Sequence, residues 1–302
     1  MKIIVFGGAG MIGSAIAQAL RGRGHQVLTA GRRNCDIAVD FRYDQTPQVY
    51  EAIVRGADIV VNAAGILIER GDNTFNAVHL QAPSALFAAC AAQRVARVVH
   101  VSAAGLSAAA AGAMVQDMPG RYAASKRACE RALQECPVDY AIVQPSLVVD
   151  AQCPSTRLMQ WLAKLPIIAL PGLLHPGSAV VAPLALQDLA AAVARICEHP
   201  KALRRSIQLA GPEVLPYKTL LQRYRSAAGK GQALWLPLPW WLMKLGALAA
   251  VWLPQSVYSI DTMRMLQHGA APANNEAAYW LRRAPVQIAG PVEEARPAMV
   301  GC

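Results

Sequence analysis

Two residues near the middle of the chain have types and a spacing that could transfer a proton. Tyr122 and Lys126 stand four positions apart in YAASK (122–126), so on a helix they share one face. A free tyrosine has a pKa of about 10, and a neighbouring ammonium group favours the phenolate and lowers that pKa. Such a pair could give or take a proton at a carbonyl or an alcohol. The spacing alone is common on helices, so the assignment depends on its surroundings.

A glycine loop, GGAGMIG (7–13), lies at the start of the chain. Gly7 permits a tight turn, Gly10 lets the backbone approach a pyrophosphate, and Gly13 permits close packing of a helix on a strand. The first N–H groups of that helix, at Met11, Ile12 and Gly13, would bind the phosphates at the positive end of the helix dipole. The loop directly follows the apolar run KIIVF, a context that makes the motif specific. The sequence therefore predicts a dinucleotide site.

The residues after the second predicted strand indicate which dinucleotide fits. A site for NAD expects an acidic residue there, about 20 residues past the loop, to hold the ribose 2′-hydroxyl. This chain has Arg32 and Arg33 instead, and Asp36 comes slightly too late. A guanidinium binds the 2′-phosphate of NADP through charge and paired hydrogen bonds. The arginines therefore predict NADP(H), the alternative being that they are merely exposed.

The elements that must position these residues alternate between strand and helix through about residue 150. Apolar runs predict strands at 2–6, 25–30, 37–39, 58–62, 95–102 and 140–149. Helices are predicted at 14–23, 46–55, 76–93 and 121–135. Such alternation is typical of an α/β fold with a doubly wound parallel sheet.

Beyond residue 150 prolines become frequent and the alternation weakens. Helices are predicted at 184–197 and 217–227, and a returning strand at 206–210. We therefore expect an NADP-binding domain over 1–150 and a smaller, mainly helical substrate region over 151–302, with some elements returning to the sheet. The tail after Gly269 is rich in alanine and proline and is predicted to be irregular.

One apolar segment of the second half, Leu234 to Leu253, contains four of the six tryptophans. Pro237, Pro239 and Lys244 interrupt it, whereas a membrane-spanning helix needs about 20 mainly apolar residues without a break. The segment favours an inward-facing lid helix. The alternative is an apolar mouth for a lipid-like or quinone-like substrate at a membrane surface.

Composition limits the classes of function. With 54% hydrophobic and 16% charged residues, the 302-residue chain is not disordered. The net charge is +10, but the Lys and Arg residues are dispersed, so no nucleic-acid partner is predicted. The seven cysteines have no metal-ligand spacing, and we predict no metal site. No secretory leader stands before the glycine loop, which predicts a cytoplasmic protein, with peripheral contact to the inner membrane face as a further option.

Together these motifs resemble the short-chain dehydrogenase/reductase superfamily in its extended or atypical form. The resemblance is carried over the first half by GGAGMIG (7–13), DIVVNAAG (58–65), YAASK (122–126) and QPS (144–146). The stretches 62–80 and 210–221 resemble a narrower branch, related to the nucleotide-binding accessory subunit of respiratory complex I.

The resemblance implies a role for each matching residue. It places Asp40 and Phe41 beside the adenine, and Ala63, Ala64 and Gly65 along the cofactor's ribose and phosphates. It also places Pro145 and Ser146 near the nicotinamide, with Tyr122 as the acid/base and Lys126 as its partner, which also positions the ribose.

The chain departs from the family pattern at two positions. The family's hydroxyl donor falls on Ala103, with Ser102 one residue early and Ser107 as an alternative if the loop bends inward. The family's asparagine on the preceding helix is matched by His79, which could relay protons or simply pack. A carbonyl site without its donor would lose stabilisation of the developing oxyanion.

The sequence therefore predicts an NADP(H)-dependent oxidoreductase that moves hydride to or from a carbonyl or alcohol of an apolar substrate. One alternative is a non-catalytic NADPH-binding structural protein or sensor. Another is a nucleotide-sugar epimerase or dehydratase that recycles its cofactor, although the apolar second half argues mildly against a sugar.

Overall fold

A parallel sheet of seven strands forms the centre of the part of the chain that the computed structural model describes, residues 1–106, 120–171, 180–238, 271–272, 274–288 and 290. Its strands are β1 (Lys2–Phe6), β2 (Gln26–Gly31), β3 (Ile37–Ala38), β4 (Ile59–Asn62), β5 (Arg97–Val101), β6 (Tyr140–Pro145) and β11 (Arg205–Leu209).

The order of the strands creates a crevice at one end of the sheet. The order is β11-β6-β5-β4-β1-β2-β3, and all neighbouring strands are parallel. The chain winds from β1 out to β2 and β3, and then starts again at β4 on the other side of β1. In such a sheet ligands bind beyond the carboxyl ends of the strands, where the winding reverses. The predicted doubly wound sheet is confirmed.

Helices cover both faces of this sheet, which explains the continuous apolar runs of the strands. In β1, Ile3 and Val5 face one helical layer, and Ile4 and Phe6 face the other. The first layer contains α1 (Met11–Arg21) and α6 (Leu186–Cys197). The second contains α2 (Pro47–Val54), α3 (Ala82–Ala92) and α4 (Arg121–Glu135).

Several predicted boundaries differ from the structure. Helix α4 matches its prediction at both ends, but the predicted helix 76–93 consists of a π-helical turn, Asn76–Gln81, followed by α3. The predicted strand 140–149 ends at Pro145, and β7 (Val148–Val149) is a separate short strand. The predicted irregular tail contains a short helix, α8 (Ala277–Leu281), because Trp280 and Leu281 are buried against the α6 side of the core.

The smaller region has its own core around Met159, Leu220 and Tyr224. Its helices are α5 (Pro154–Lys164) and α7 (Tyr217–Ala227). Beside them, in the described residues, are short strand pairs: β7 with β10 (Leu184–Ala185), β8 (Ile167–Pro171) with β13 (Leu234–Leu238), and β9 (Val180–Val181) with β12 (Leu215–Pro216).

The apolar segment 234–253 does not begin as the expected lid helix. Its first five residues form β13, since Pro237 suits the edge of a two-stranded pair better than the interior of a helix. Residues 239–253 lie outside the described part of the chain. Among the residues that the structure describes, no helix is both long and apolar enough to cross a membrane.

A buried arginine joins the two halves of the chain. Arg97, at the start of β5, donates to the carbonyls of Ile196, His199 and Lys201 at 2.6–2.8 Å. It also forms an ion pair with Asp139 at 2.6 Å. A strand of the first half is therefore held by carbonyls at the end of α6, in the second half.

Candidate functional site

The glycine loop fits tightly against the end of β4. Gly7 has a φ of +75°, and a Cβ added there would lie 2.7 Å from the nitrogen of Ala64. A Cβ added at Gly13 would lie 2.2 Å from the carbonyl oxygen of Gly7. Only glycine can occupy these two positions without moving the backbone. The loop therefore brings bare main chain to the mouth of the crevice.

Helix α1 presents unpaired N–H groups at this loop. Its first intrahelical hydrogen bond runs from the Ser14 nitrogen to the Gly10 oxygen at 2.8 Å, so Met11, Ile12 and Gly13 precede it. No side chain in the described part of the chain caps the helix, and no acidic residue lies in its first turn. Free N–H groups at the positive end of a helix dipole form a binding site for phosphate.

A cleft of about 790 Å³ opens from the loop along the ends of β1, β2 and β4. It is lined by most of the residues predicted for the nucleotide: Gly7, Gly10, Arg32, Arg33, Asp40, Phe41, Ala63, Ala64 and Gly65. Sequence reasoning missed several further residues of its wall: Ala9, Ala30, Gly31, Ala38, Val39, Arg42, Asp44, Ile66, Asn73 and Val78. Arg42 and Asp44 adjoin the predicted Asp40, but Asn73 reaches the cleft from a loop and Val78 from the π-helical turn, and no local pattern connects either of them to it.

The rim of the cleft beyond β2 is positively charged. Arg32 and Arg33 are both exposed, and neither forms an ion pair within the described residues. Asp36 is not among the residues that line the cleft, and it accepts hydrogen bonds from the nitrogen and the hydroxyl of Thr29, both at 2.8 Å. These bonds hold the pKa of Asp36 below its usual range. Asp36 is thus engaged elsewhere, as its late position in the sequence indicates.

The expected adenine end is formed by Asp40 and Phe41. Phe41 packs against the rings of Phe6 and Tyr50, each with a centroid distance of 6.0 Å. Asp40 pairs with the guanidinium of Arg42 at 2.5–3.0 Å, and this hydrogen bonding lowers its pKa. A buried aromatic ring and a fixed carboxylate therefore adjoin the arginine rim.

Tyr122 lies on the buried face of α4, inside an apolar cluster. It is 6% exposed and contacts Phe75, Leu106 and Ala103. Its ring meets those of Phe75 and His79 edge-on, at centroid distances of 5.7 and 5.5 Å. Its hydroxyl makes no hydrogen bond to the described residues. An unpaired phenol in an apolar wall is available to a ligand.

The pKa of Tyr122 differs from the sequence-based expectation. The YAASK spacing predicts a lowered pKa, but burial in the apolar cluster raises it to about 12. The charge of Lys126 does not offset that cost, because its ammonium group is directed elsewhere. At neutral pH the phenol is therefore protonated and acts first as a hydrogen-bond donor.

Lys126 connects α4 to the cleft. Its Nζ donates to the carbonyl of Val101 at 3.3 Å, at the end of β5. A Cβ added at Gly65, which lines the cleft, would lie 3.4 Å from the same Nζ. Burial lowers the pKa of Lys126, while the nearby Cys129 and Glu130 oppose that lowering. The ammonium group is therefore placed where the cleft reaches α4.

Of the positions considered for the hydroxyl donor, Ser102 is the one whose hydroxyl the structure describes. The Ser102 hydroxyl is buried and has no hydrogen-bond partner among the described residues. Ala103 packs against the Tyr122 cluster, and Ser107 lies outside the described residues. An unpaired buried hydroxyl is rare and calls for an explanation. Ser102 is thus the donor that this part of the structure offers.

His79 lies in the π-helical turn, and both of its ring nitrogens are engaged. Its Nε2 accepts from the Ile66 nitrogen at 3.0 Å, and its Nδ1 lies 2.9 Å from the Ser125 hydroxyl. Ser125 in turn donates to the carbonyl of Tyr122. Burial, with a smaller effect of Lys126, lowers the pKa of His79 to about 2. A neutral, fully bonded imidazole holds the Ile66 loop and α4 together, and it favours the packing role over the proton relay.

A second buried network supports the cleft wall from behind. Asn62, the last residue of β4, accepts from the Ala64 nitrogen at 3.1 Å and contacts His100 at 3.2 Å through its amide. Burial holds the pKa of His100 well below its usual range. Asn62 lies within the motif DIVVNAAG, but no role was predicted for it, although a polar residue that ends a buried strand was a usable signal.

Pro145 and Ser146, the two residues expected near the nicotinamide, lie at the end of β6. The carbonyl of Pro145 accepts from the Ala104 nitrogen at 2.8 Å, which ties the ends of β5 and β6 together. Ser146 is buried, and its hydroxyl accepts from the Ala182 nitrogen at 3.4 Å. Ser102 follows β5, Pro145 ends β6, and the Lys126 Nζ reaches the carbonyl of Val101, so all three are placed at the carboxyl ends of these strands. Glycine backbone, free helix N–H groups and a long cleft together fit a dinucleotide.

Sequence comparison agrees with this geometry. The family model described as NAD(P)H-binding matches residues 7–161, just over half of the chain. The chain therefore belongs to this NAD(P)H-binding family. No curated protein matches its sequence.

Solved structures with the same fold cover nearly the whole chain. A nucleoside-diphosphate-sugar epimerase from Staphylococcus aureus has a TM-score of 0.74 at 17% identity, covering 95% of this chain and 98% of that one. UDP-glucuronic acid 4-epimerase from Bacillus cereus, in complex with UDP-glucuronic acid and NAD, has a TM-score of 0.67 at 16% identity and 95% coverage of both chains. MoeE5 in complex with UDP-glucose and NAD has a TM-score of 0.69 at 16% identity, covering 95% and 94%. The chain therefore shares the fold of these three structures.

Proposed function

We propose that this protein is an NADP(H)-dependent oxidoreductase that reduces a carbonyl, or oxidises the matching alcohol, of an apolar substrate. The observation that carries the proposal is the unpaired phenol of Tyr122 in an apolar wall, on the same helix face as Lys126. Lys126 adjoins Gly65, which lines the nucleotide cleft. The acid/base candidate and the nucleotide site are therefore connected through one side chain.

The preference for NADP over NAD rests on the arginine rim. Arg32 and Arg33 have no ion-pair partner within the described residues, and Asp36 is bound to Thr29. A 2′-phosphate would supply the missing negative charge, whereas a ribose 2′-hydroxyl would leave both guanidinium groups without a partner.

Tyr122, Lys126 and Ser102 each have a separate role in the proposed reaction. The bound nucleotide supplies or accepts the hydride. Tyr122, with its pKa raised to about 12, enters the reaction protonated and donates to a carbonyl oxygen. The Lys126 ammonium holds the ribose and, drawn toward the phenol, stabilises the phenolate that the proton transfer leaves. Ser102 donates a second hydrogen bond to the same oxygen.

The walls around Tyr122 favour an apolar substrate. Phe75, Leu106 and Ala103 surround the phenol, and none of them offers a side-chain hydrogen bond. In an apolar environment the few polar interactions with a substrate are stronger, because little water screens them. A substrate whose carbonyl is flanked by apolar groups, such as a quinone-like compound, fits this arrangement.

Two substitutions test the assignment with quinones and apolar carbonyls, measured as NADPH oxidation. Tyr122→Phe removes the proton donor and should reduce kcat by about 10²–10⁴-fold. Ser102→Ala should reduce kcat by a smaller factor, and NADPH affinity should stay close to wild type in both. Turnover by Tyr122→Phe at the wild-type rate would contradict the role of Tyr122.

A non-catalytic NADPH-binding protein is the second candidate, and Ala103 at the family's donor position favours it. This reading accords with the resemblance to the branch of the complex I accessory subunit. It expects tight NADPH binding, thermal stabilisation that rises with NADPH concentration, and no oxidation with any apolar carbonyl.

The names of the structural neighbours favour a third candidate, a sugar-nucleotide epimerase or dehydratase. Such an enzyme recycles its cofactor, so it would convert a UDP-sugar without net change in NADPH absorbance. Chromatography of UDP-sugars incubated with the protein separates this candidate from the first two.

A further inference from the structure

The elements of the smaller region have an uneven distribution of charge. Helices α5 and α7 and strands β8 and β13 contain no aspartate and no glutamate. The same elements and the turn before β13 carry four exposed cations: Arg157, Lys164, Lys218 and Lys230.

An apolar face lies beside these cations. In the parallel pair of β8 and β13, Ile168 and Trp235 are register partners that turn toward the core. The alternate positions turn outward, since side chains alternate along a strand. There Ile167 is 49%, Leu234 60% and Leu236 44% exposed.

The end of α5 extends this face. The Leu234 nitrogen donates to the Pro166 carbonyl at 2.9 Å, so the start of β13 lies two residues from the end of α5. Met159 and Ala163 bury the inner side of α5, whereas Trp161 on the other side is 58% exposed. Lys164 follows Trp161 by almost one turn. We call this surface the α5–β13 corner, made of Trp161, Lys164, Ile167, Lys230, Leu234 and Leu236.

We propose that the α5–β13 corner docks on the surface of an anionic membrane. Exposed aliphatic side chains and a tryptophan can enter the boundary between head groups and acyl chains, where tryptophan is favoured. The lysines around them would then meet anionic head groups, each adding to the attraction. The absence of carboxylates from these elements removes the repulsion that such a surface would otherwise produce.

Charge also argues against a second copy as the occupant. In a two-fold dimer the same patch meets itself. Lys164 and Lys230 of one copy would then face the lysines of the other, with no acidic residue on the four elements to compensate. An anionic lipid surface matches both the apolar and the cationic parts of the corner. The proposal is independent of the proposed reaction.

Vesicle sedimentation of the full-length protein tests the proposal. We expect binding to phosphatidylcholine vesicles that contain phosphatidylglycerol and much weaker binding to phosphatidylcholine alone. Raising the salt from about 0.1 M to 1 M shortens the Debye length from about 10 Å to about 3 Å and should release much of the protein. Equal binding to both kinds of vesicle, or binding to neither, would overturn the proposal.

Two double variants locate the contact. Lys164→Glu with Lys230→Glu, and Trp161→Ser with Leu234→Ser, should each weaken binding by at least about tenfold. Matched controls are Lys201→Glu and Val49→Ser, which change exposed residues on the large-sheet body and should bind like wild type. Thermal melts establish that each variant is folded. Unchanged binding by a folded corner variant would refute the assignment. It would also be refuted if the wild-type protein showed no vesicle affinity and formed a dimer that Leu234→Ser dissociates.

Discussion

The nucleotide cleft and the surroundings of Tyr122 satisfy their polar groups in opposite ways. At the cleft, the first N–H groups of α1 precede its first hydrogen bond, and the arginine rim has no ion pair within the described residues. Around Tyr122, imidazole, serine and amide groups are bonded to one another, as in the chain from Ile66 through His79 to Ser125. There the hydroxyls of Tyr122 and Ser102 make no hydrogen bond to the described residues.

This contrast separates binding from chemistry. Phosphates bring their own charge, so a binding surface can leave its donors solvated until the ligand arrives. A reacting centre gains from the opposite arrangement, in which water is excluded and a few fixed groups wait for developing charge. Substitutions at the cleft should therefore change affinity, and those around Tyr122 should change rate or pH dependence.

The largest effect is expected at the glycine loop. A methyl group at position 13 would lie 2.2 Å from the Gly7 oxygen, so Gly13→Ala must displace the loop. A displacement of about 1 Å can cost about 10²-fold in a positioned site, and we expect that loss in NADPH affinity by fluorescence titration. The matched change Gly22→Ala has its nearest contact at 3.5 Å and should be neutral. Wild-type affinity in Gly13→Ala would refute the phosphate site.

A moderate effect is expected at the arginine rim. Arg32→Ala removes a charged hydrogen-bond donor, worth about 1.5–3 kcal/mol, and should weaken NADPH binding by about 10–100-fold without altering NADH binding. The control is Arg131→Ala, an exposed arginine on α4. If wild type binds both nucleotides equally, the preference for NADP is wrong.

The pH dependence of binding tests the Lys126 region. The Glu130 carboxylate, which accepts from Gln144 at 3.0 Å, helps keep Lys126 charged against the effect of burial. Glu130→Gln should lower the pKa of Lys126 further, so NADPH binding should be lost at a lower pH on the alkaline side. Titrations at increasing pH measure the midpoint. Glu135→Gln, on the exposed end of the same helix, should leave it in place.

At His79 the expected effect is on acid stability and not on nucleotide binding. Its pKa is about 2 in the folded protein and about 6.5 in an unfolded chain. Below pH 6.5 the imidazole is therefore protonated in the unfolded chain but not in the folded protein. As the pH is lowered, the free energy of unfolding decreases. His79→Gln keeps an acceptor for Ile66 but cannot titrate, so its stability should decline less steeply from pH 6.5 to 4. If the free energy of unfolding, measured with urea, declined equally steeply with decreasing pH in wild type and in His79→Gln, this account would be contradicted.

The sequence predicted those parts of the structure that follow from local patterns. The glycine loop, the parallel strands and both ends of α4 depend on short-range features, and each lies where the pattern indicates except at strand ends, such as those of β5 and β6. The π-helical turn was missed because one extra residue per turn hardly changes the pattern of a six-residue segment in which only Ala77, Val78 and His79 are buried. The burial that raises the pKa of Tyr122 was missed because Phe75 and Leu106 approach it from loops far away in sequence.

The bond from Arg97 to the end of α6 has a consequence for synthesis. Strand β11 completes the large sheet only after residue 205, and α6 covers α1 from the same late part of the chain. While the ribosome has released only the first 150 residues, β6 has an open edge and the Arg97 guanidinium lacks its three carbonyls. A nascent chain of that length exposes an unpaired strand edge that can pair with another chain and aggregate. The first part of the smaller region, from β7 to β9, is thus inserted between β6 and α6, and the large sheet can be completed only after translation has passed this part and reached β11.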